Sequence, residues 1–256
     1  MPERDRYIPG VPCWVDTSQP DPDAATSFYS GLFGWEFEDA MPSDSPGRYL
    51  IAQLRGKTVA AVGSQPEGTN PAATWNTYVS VASADETAAK ARDAGGTVVS
   101  EPFDVMDAGR MAVFTDPEGA AFSVWQAQEV AGAQLVNEHG TVNFNGLNTR
   151  DVAAAKAFYG AVFGWRTLDL GGGVEMWRLD GYGDHLEEIQ PGTRKAVEES
   201  GGPEGFEDVV ADRVTELGGR VLMPPFDAPW VRMTVLADPQ GATFIASKFV
   251  PENKDL

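Results

Sequence analysis

The chain repeats itself, and this duplication constrains its fold more than any other feature. FYSGLFGWEFED spans residues 28–39 and FYGAVFGWRTLD spans residues 158–169. The identities fall in register at Phe28/Phe158, Tyr29/Tyr159, Phe33/Phe163, Gly34/Gly164, Trp35/Trp165 and Asp39/Asp169. A second pair follows the same rule: GGTVVSEPFDVMDAGRMAVFTDPEGAAFSVW at 95–125 and GGRVLMPPFDAPWVRMTVLADPQGATFIAS at 218–247, with one residue lost between Asp227 and Arg232. Two strings recurring in the same order, half a chain apart, mark duplicated supersecondary units. Four modules result, the third like the first and the fourth like the second. The polar, small-residue stretch QAQEVAGAQLVNEHG (126–140) separates the halves. The expected division is residues 7–127, a linker at 128–139, and residues 140–256.

Each module reads as β-α-β-β-β. In the first, a strand at Cys13–Ser18 leads to Asp21-Pro22, a helix cap followed by a residue suited to the first turn. Ala25, Phe28, Tyr29 and Leu32 then follow the apolar spacing of a helix, and Gly34 can stop it in a left-handed conformation. Strands are expected at Trp35–Glu38, Arg48–Leu54 and Thr58–Gly63. In the second module the strand TWNTYVSVA (74–82) precedes a helix over Ala84–Ala94. Strands over Thr97–Ser100, Arg110–Phe114 and Ala121–Gln126 complete it. DPEG (116–119) and DPQG (238–241) are turn sequences. The recurring Phe-Tyr pair is thus the buried stripe of a helix rather than an active site.

Composition excludes several functions. With 42% apolar and 22% charged residues the chain suits a soluble globular protein, and no apolar run is long enough to span a bilayer. The first residues lack a signal-peptide core, so a cytoplasmic location is expected. A formal charge of −19 repels nucleic acid and anionic membranes. Cys13 is the sole cysteine, which rules out an internal disulfide, and one cysteine with two histidines leaves few metal ligands.

Paired βαβββ modules, FYxxxFGW after a short helix, and DPxG before a final strand together resemble the glyoxalase/bleomycin-resistance/extradiol-dioxygenase (vicinal oxygen chelate) superfamily. The doubled form is similar to two-domain glyoxalase-like proteins of actinobacteria, often labelled hydroxylases. IPGVPCWVDTSQPDP (8–22) and SKFVPENKDL (247–256) carry that likeness further. The resemblance implies an α+β fold in which tandem modules form two domains, each with a curved mixed sheet around a cleft. It also implies inward His, Glu or Gln metal ligands on the first and last strands of each module. Carried over, those positions are Trp14, Asn76 and Phe144 on first strands, and Ser123 and Ile245 on last strands. AAVGS (60–64), the last strand of module 1, offers no carboxylate or imidazole. Trp, Phe and Ile cannot ligate a divalent cation, and Asn or Ser alone would bind one weakly.

The expectation is therefore a cleft that needs no cofactor and stacks on a planar or apolar small molecule. Its candidate lining is Trp14, Asn76, Met111, Ser123 and Trp125, with Asp16 as an inward carboxylate that orients the ligand or acts as a base. In the second half the candidates are Phe144, Asn148, Trp177, Trp230 and Arg232; Gly146 stands where module 1 has Asp16. Arg110 and Arg232, at matching positions, either orient a ligand or pair with carboxylates. His139 reads as a linker residue. His185 and Glu187 would share a face of module 3's final strand, with Glu175 or Asp184 nearby, as an alternative metal or acid–base site. Residues 198–204, EESGGPE, stand where module 4 needs its first strand and do not read as one. Such a chain can be a monomer or a homodimer. The alternative function is a glyoxalase-like lyase or isomerase, or a hydroxylase or dioxygenase.

Overall fold

Asp21 caps the first helix, its carboxylate accepting from the Ala24 N–H at 3.0 Å, and Gly34 ends it at φ 71°. In a computed structural model that describes residues 3–65, 72–169, 175–189, 191, 206–229, 231–250 and 253, module 1 runs as follows. β1 (Pro12–Gln19) leads to α1 (Pro22–Phe33), then β2 (Glu36–Asp39), β3 (Tyr49–Leu54) and β4 (Lys57–Ser64). Module 2 repeats this with β5 (Thr74–Ser80), α2 (Ala84–Asp93), β6 (Thr97–Val105), β7 (Gly109–Thr115) and β8 (Ala121–Ala127). These eight strands form one sheet in the order β2-β3-β4-β1-β5-β8-β7-β6. β1 pairs with β4, and β5 with β8, in parallel; the hairpin pairs are antiparallel. The fold is α+β with a large mixed sheet, as the repeats imply.

The second half departs from the pattern. It contains α3 (Val152–Phe163), β9 (Arg166–Asp169), β10 (Glu175–Arg178), α4 (Tyr182–Ile189), α5 (Phe206–Glu216), β11 (Arg220–Ala228), β12 (Val231–Ala237) and β13 (Thr243–Phe249). Residues 142–149 form no strand, so the strand expected to carry Phe144, Gly146 and Asn148 is corrected. YGDHLEEI (Tyr182–Ile189) is helical rather than the final strand of module 3, a second correction. Tyr182, Leu186 and Ile189 recur at i, i+4 and i+7, a helical period that outweighs the module template. The two departures share a cause. β1 is held by β4, and a strand at 142–149 would need the ladder that α4 cannot supply. The strand expected to be missing at 198–204 falls outside the described residues.

Contacts divide the chain into two compact units. One comprises Met1–Val15 with Asn76–Ile189, the other Asp16–Trp75 with Gln190–Leu256. Module 2 thus shares a unit with module 3, and module 1 with module 4. The tandem division at 128–139 describes the sequence, whereas these units follow the packing of the helices.

In the unit of modules 2 and 3, α3 lays its Phe-Tyr pair on α2, β7 and β8. Phe122 meets Phe158 and Tyr159 with ring centroids 6.0 and 5.7 Å apart. A Cβ on Gly96 would lie 2.7 Å from the Phe158 ring, so the second glycine of the GG pair makes room for that phenylalanine. Tyr159 Oη donates to Asp116 Oδ2 at 3.1 Å, while Asp116 Oδ1 accepts from the Glu118 and Ala120 N–H groups within the DPEG turn. The unit of modules 1 and 4 repeats the arrangement. Phe28 sits over Gly219, whose added Cβ would be 3.1 Å away, and Tyr29 Oη donates to Asp238 Oδ2 at 3.0 Å. Asp238 also accepts from Gln19 Nε2 at 2.7 Å and from the Gln240 and Ala242 N–H groups. The two recurring strings are therefore the two sides of one joint, made twice. Burial and the adjacent carboxylate raise both tyrosine hydroxyls above their ordinary pKa, burial being the larger cause.

The stretch read as a linker is anchored within the first unit. Ala133 N–H donates to Cys13 O at 2.8 Å, Tyr7 Oη to Ala133 O at 2.6 Å, and Arg4 N–H to Gln134 O at 2.8 Å. Among the described residues, no helix is long and apolar enough to cross a membrane.

Cys13 lies under this strap, 2% exposed, and burial pushes its thiol up to about 12. A group with a raised folded pKa contributes stability that is whole below its unfolded value and lost as pH climbs toward the folded one. Stability is therefore expected to fall from about pH 9 upward, by about 1.4 kcal/mol per pH unit for this group. Denaturant melts between pH 8 and 10.5, on wild type and Cys13→Ala, check this; an equal slope in both would refute the assignment. Tyr29 and Tyr159 add the same sign above about pH 10.

Candidate functional site

Alternation along β1 separates two faces. Cys13, Val15, Thr17 and Gln19 are buried, Thr17 and Gln19 at 0% exposure. Trp14, Asp16 and Ser18 occupy the opposite face. On β8, Phe122 and Val124 join the helix-side core, which leaves Ser123 and Trp125 on the other side. In the unit of modules 2 and 3 that outer face carries Trp14 and Asn76, both half-buried, and Ser123, 4% exposed. Met111 stands opposite Trp125 and Phe103 opposite Met111 across the ladder. The Trp125 indole N–H donates to Val130 O at 2.7 Å, and the ring lies across Gly109, where an added Cβ would be 2.5 Å from it. That glycine and that hydrogen bond fix the indole plane. Phe103, 44% exposed, extends the apolar strip beyond the residues that the sequence points to. Its signal was the alternation of β6, which a shorter expected strand had cut off at Ser100.

In the unit of modules 1 and 4, Asp16 is 4% exposed and accepts from Tyr49 Oη at 2.9 Å. Asp16 registers with Ala61, Ser18 with Gly63, and Tyr49 with Gly63. A Cβ at Gly63 would be 3.3 Å from Tyr49 Cδ2, so the tyrosine ring lies over a position without a side chain. Tyr49 comes from the second hairpin and could not be linked to Asp16 without the strand register.

The positions at which the resemblance implies metal ligands do not fit a divalent cation here. Trp14 offers no donor, Asn76 and Ser123 offer neutral oxygens, and the β4 partners are Ala61 and Gly63. Among the described residues no three His, Cys, Asp or Glu side chains gather as a cation site.

The remaining candidates are placed differently. Phe144 is 67% exposed and Asn148 is exposed, both off any strand. Trp177 joins the aromatic cluster of Tyr159 and Trp165, at 5.6 and 5.5 Å. Arg232 pairs with Asp227 at 3.0 Å and Arg110 with Asp85 at 2.9 Å. Trp230 lies outside the described residues. His185 and Glu187 are two apart on α4, which puts them on different helix faces rather than the shared strand face expected. Glu175 pairs with Lys156, and His139 lies exposed in the anchored strap.

A family model described as "Glyoxalase/Bleomycin resistance protein/Dioxygenase superfamily" matches residues 14–124. "Putative glyoxylase CFP32" of Mycobacterium bovis is 38% identical over 270 residues, covering 98% of this chain and 100% of that protein. "Anthracycline biosynthesis protein DnrV" of Streptomyces peucetius is 34% identical over 264 residues, 93% of each. Among solved structures, the Mn(II)-bound glyoxalase from Novosphingobium aromaticivorans is similar with a TM-score of 0.60 and 17% identity, over 96% of this chain and 86% of that one. The 2,3-dioxygenase LapB from Pseudomonas sp. KL28 gives a TM-score of 0.55 and 13% identity, over 96% of each chain.

Proposed function

We propose, for a chain that belongs to the glyoxalase/bleomycin resistance protein/dioxygenase superfamily, that one sheet face binds a small planar aromatic metabolite without a metal. The face is that of Trp14, Asn76, Met111, Ser123 and Trp125, and the role is protective or accessory to a pathway. The observation that carries the reading is the exchange of donors: an indole, an amide and a hydroxyl stand where the family resemblance implies metal ligands. Aromatic side chains offer stacking area, and a few neutral polar groups orient what stacks on them. A relative named for anthracycline biosynthesis supports a polycyclic aromatic as the ligand class. Calorimetry with planar aromatic compounds, an anthracycline among them, tests the reading on wild type and Trp14→Ala. The variant should bind about tenfold more weakly, about 1.4 kcal/mol. Unchanged affinity would sink the assignment.

The second reading is a glyoxalase-like lyase or an oxygenase, favoured by the relative named as a glyoxylase, which matches over nearly the whole chain. Metal analysis of the purified protein separates the two. One tightly bound Fe, Mn, Ni or Zn per chain would establish the second reading at the expense of the first.

A further inference from the structure

We infer that Asn145-Gly146 is a site of spontaneous modification, where the Asn145 amide is lost and the main chain rearranges to isoaspartate. The inference lies outside the proposed ligand face and depends on neither reading of function.

Three observations carry it. First, this is the one Asn-Gly pair in the chain. Glycine has no Cβ to keep its backbone nitrogen away from the preceding side chain or to restrict the torsions that bring the two together. Second, no ladder holds the backbone there. Residues 142–149 form no strand, and Gly146 is exposed. Among the described residues the Gly146 N–H and the Asn145 Nδ2 donate to no acceptor, so neither the attacking nitrogen nor the departing one has a hydrogen bond to give up. Third, the Asn145 side chain is a tether. Its Oδ1 accepts from Thr77 Oγ1 on β5 at 2.8 Å, and Leu147, two residues on, packs against the core of α2, β7, β8 and α3. The Thr77 bond engages the oxygen on which negative charge collects as the nitrogen adds, so it does not oppose the attack.

The chemistry balances with water alone. The Gly146 nitrogen gives its proton to solvent and bonds to Asn145 Cγ. The Cγ–Nδ2 bond breaks and ammonia leaves, which closes a succinimide ring. Water then adds to either ring carbonyl and opens the ring to aspartate or isoaspartate, each with one more negative charge than asparagine. In isoaspartate the main chain runs through Cβ and Cγ and is longer by a methylene. The group that met Thr77 is displaced, and the segment between Thr77 and Leu147 loses its tether.

The test ages the purified full chain at mildly alkaline pH and reads each asparagine by peptide mass spectrometry, with an isoaspartyl methyltransferase to mark the product. Asn145 should gain about one dalton at least tenfold faster than Asn137, Asn143 and Asn148, which precede Glu, Phe and Thr. The rate should rise with pH, as attack by a deprotonated nitrogen requires. Gly146→Ala should fold as wild type, because a Cβ there meets nothing within 4 Å and the backbone is not left-handed. It should slow conversion about tenfold. Conversion at Asn145 no faster than at the other three, or a rate unchanged by Gly146→Ala, would overturn the inference. A second measurement stands apart from that variant. The isoaspartate-bearing fraction, separated by charge, should exchange its amides at 144–148 about tenfold faster than fresh protein. Equal exchange in the two fractions would overturn the tether.

Discussion

Replacing Asp238 with alanine is expected to destabilise the protein by about 4 kcal/mol, because four donors, three of them buried, lose one acceptor together. Tyr29 Oη, Gln19 Nε2 and the Gln240 and Ala242 N–H groups all point at this carboxylate, and Asp238 is 0% exposed. A chain of this size should then melt roughly 10 °C lower in a thermal scan. Asp116→Ala should cost less, since among the described residues Tyr159 is the one side-chain donor there beside the two turn N–H groups. A drop of less than about 2 °C for Asp238→Ala would show that the network relaxes and that this joint does not hold its unit. The comparison matters because the Tyr-to-Asp bond is where the two sequence repeats meet.

Gly132→Ala is expected to cost about 3 kcal/mol, from strain and a backbone clash acting at once. Gly132 sits at φ 140°, and an added Cβ would approach Cys13 O to 2.4 Å. The strap cannot yield without losing the hydrogen bond from Ala133 N–H to the same Cys13 carbonyl at 2.8 Å. A denaturant melt gives the magnitude, and the rate at which a thiol reagent labels Cys13 reports the strap itself. Labelling as slow as in wild type, with unchanged stability, would mean the strap is not fixed at this glycine.

Much of the first half was legible because its rules are local. Asp21-Pro22 and Gly34 mark the ends of α1, and strand alternation placed Trp14 and Asp16 on one face. The same rules failed where a template was carried across modules. The resemblance places Phe144 on a strand, yet a strand exists only if a neighbour completes its ladder. His185 and Glu187 were paired by strand spacing in a segment whose apolar period is helical. Trp177 looked like lining because it is large and apolar, and contacts with Tyr159 and Trp165 place it in an aromatic cluster.

By itself the sequence determined the module, its duplication and the family. Each of these depends on residue type and short-range spacing. Only the tertiary structure decided which modules join. Phe28 and Tyr29 find Gly219 and Asp238, and Phe158 and Tyr159 find Gly96 and Asp116. Nothing in a linear pattern says that the helix of one module will seat on the glycine and turn of another. The same holds for Tyr49 and Asp16, 33 residues apart and joined through the register of β1, β3 and β4. Long-range pairing is set by complementary shape and the need to satisfy buried polar groups, which exist only once the chain has folded.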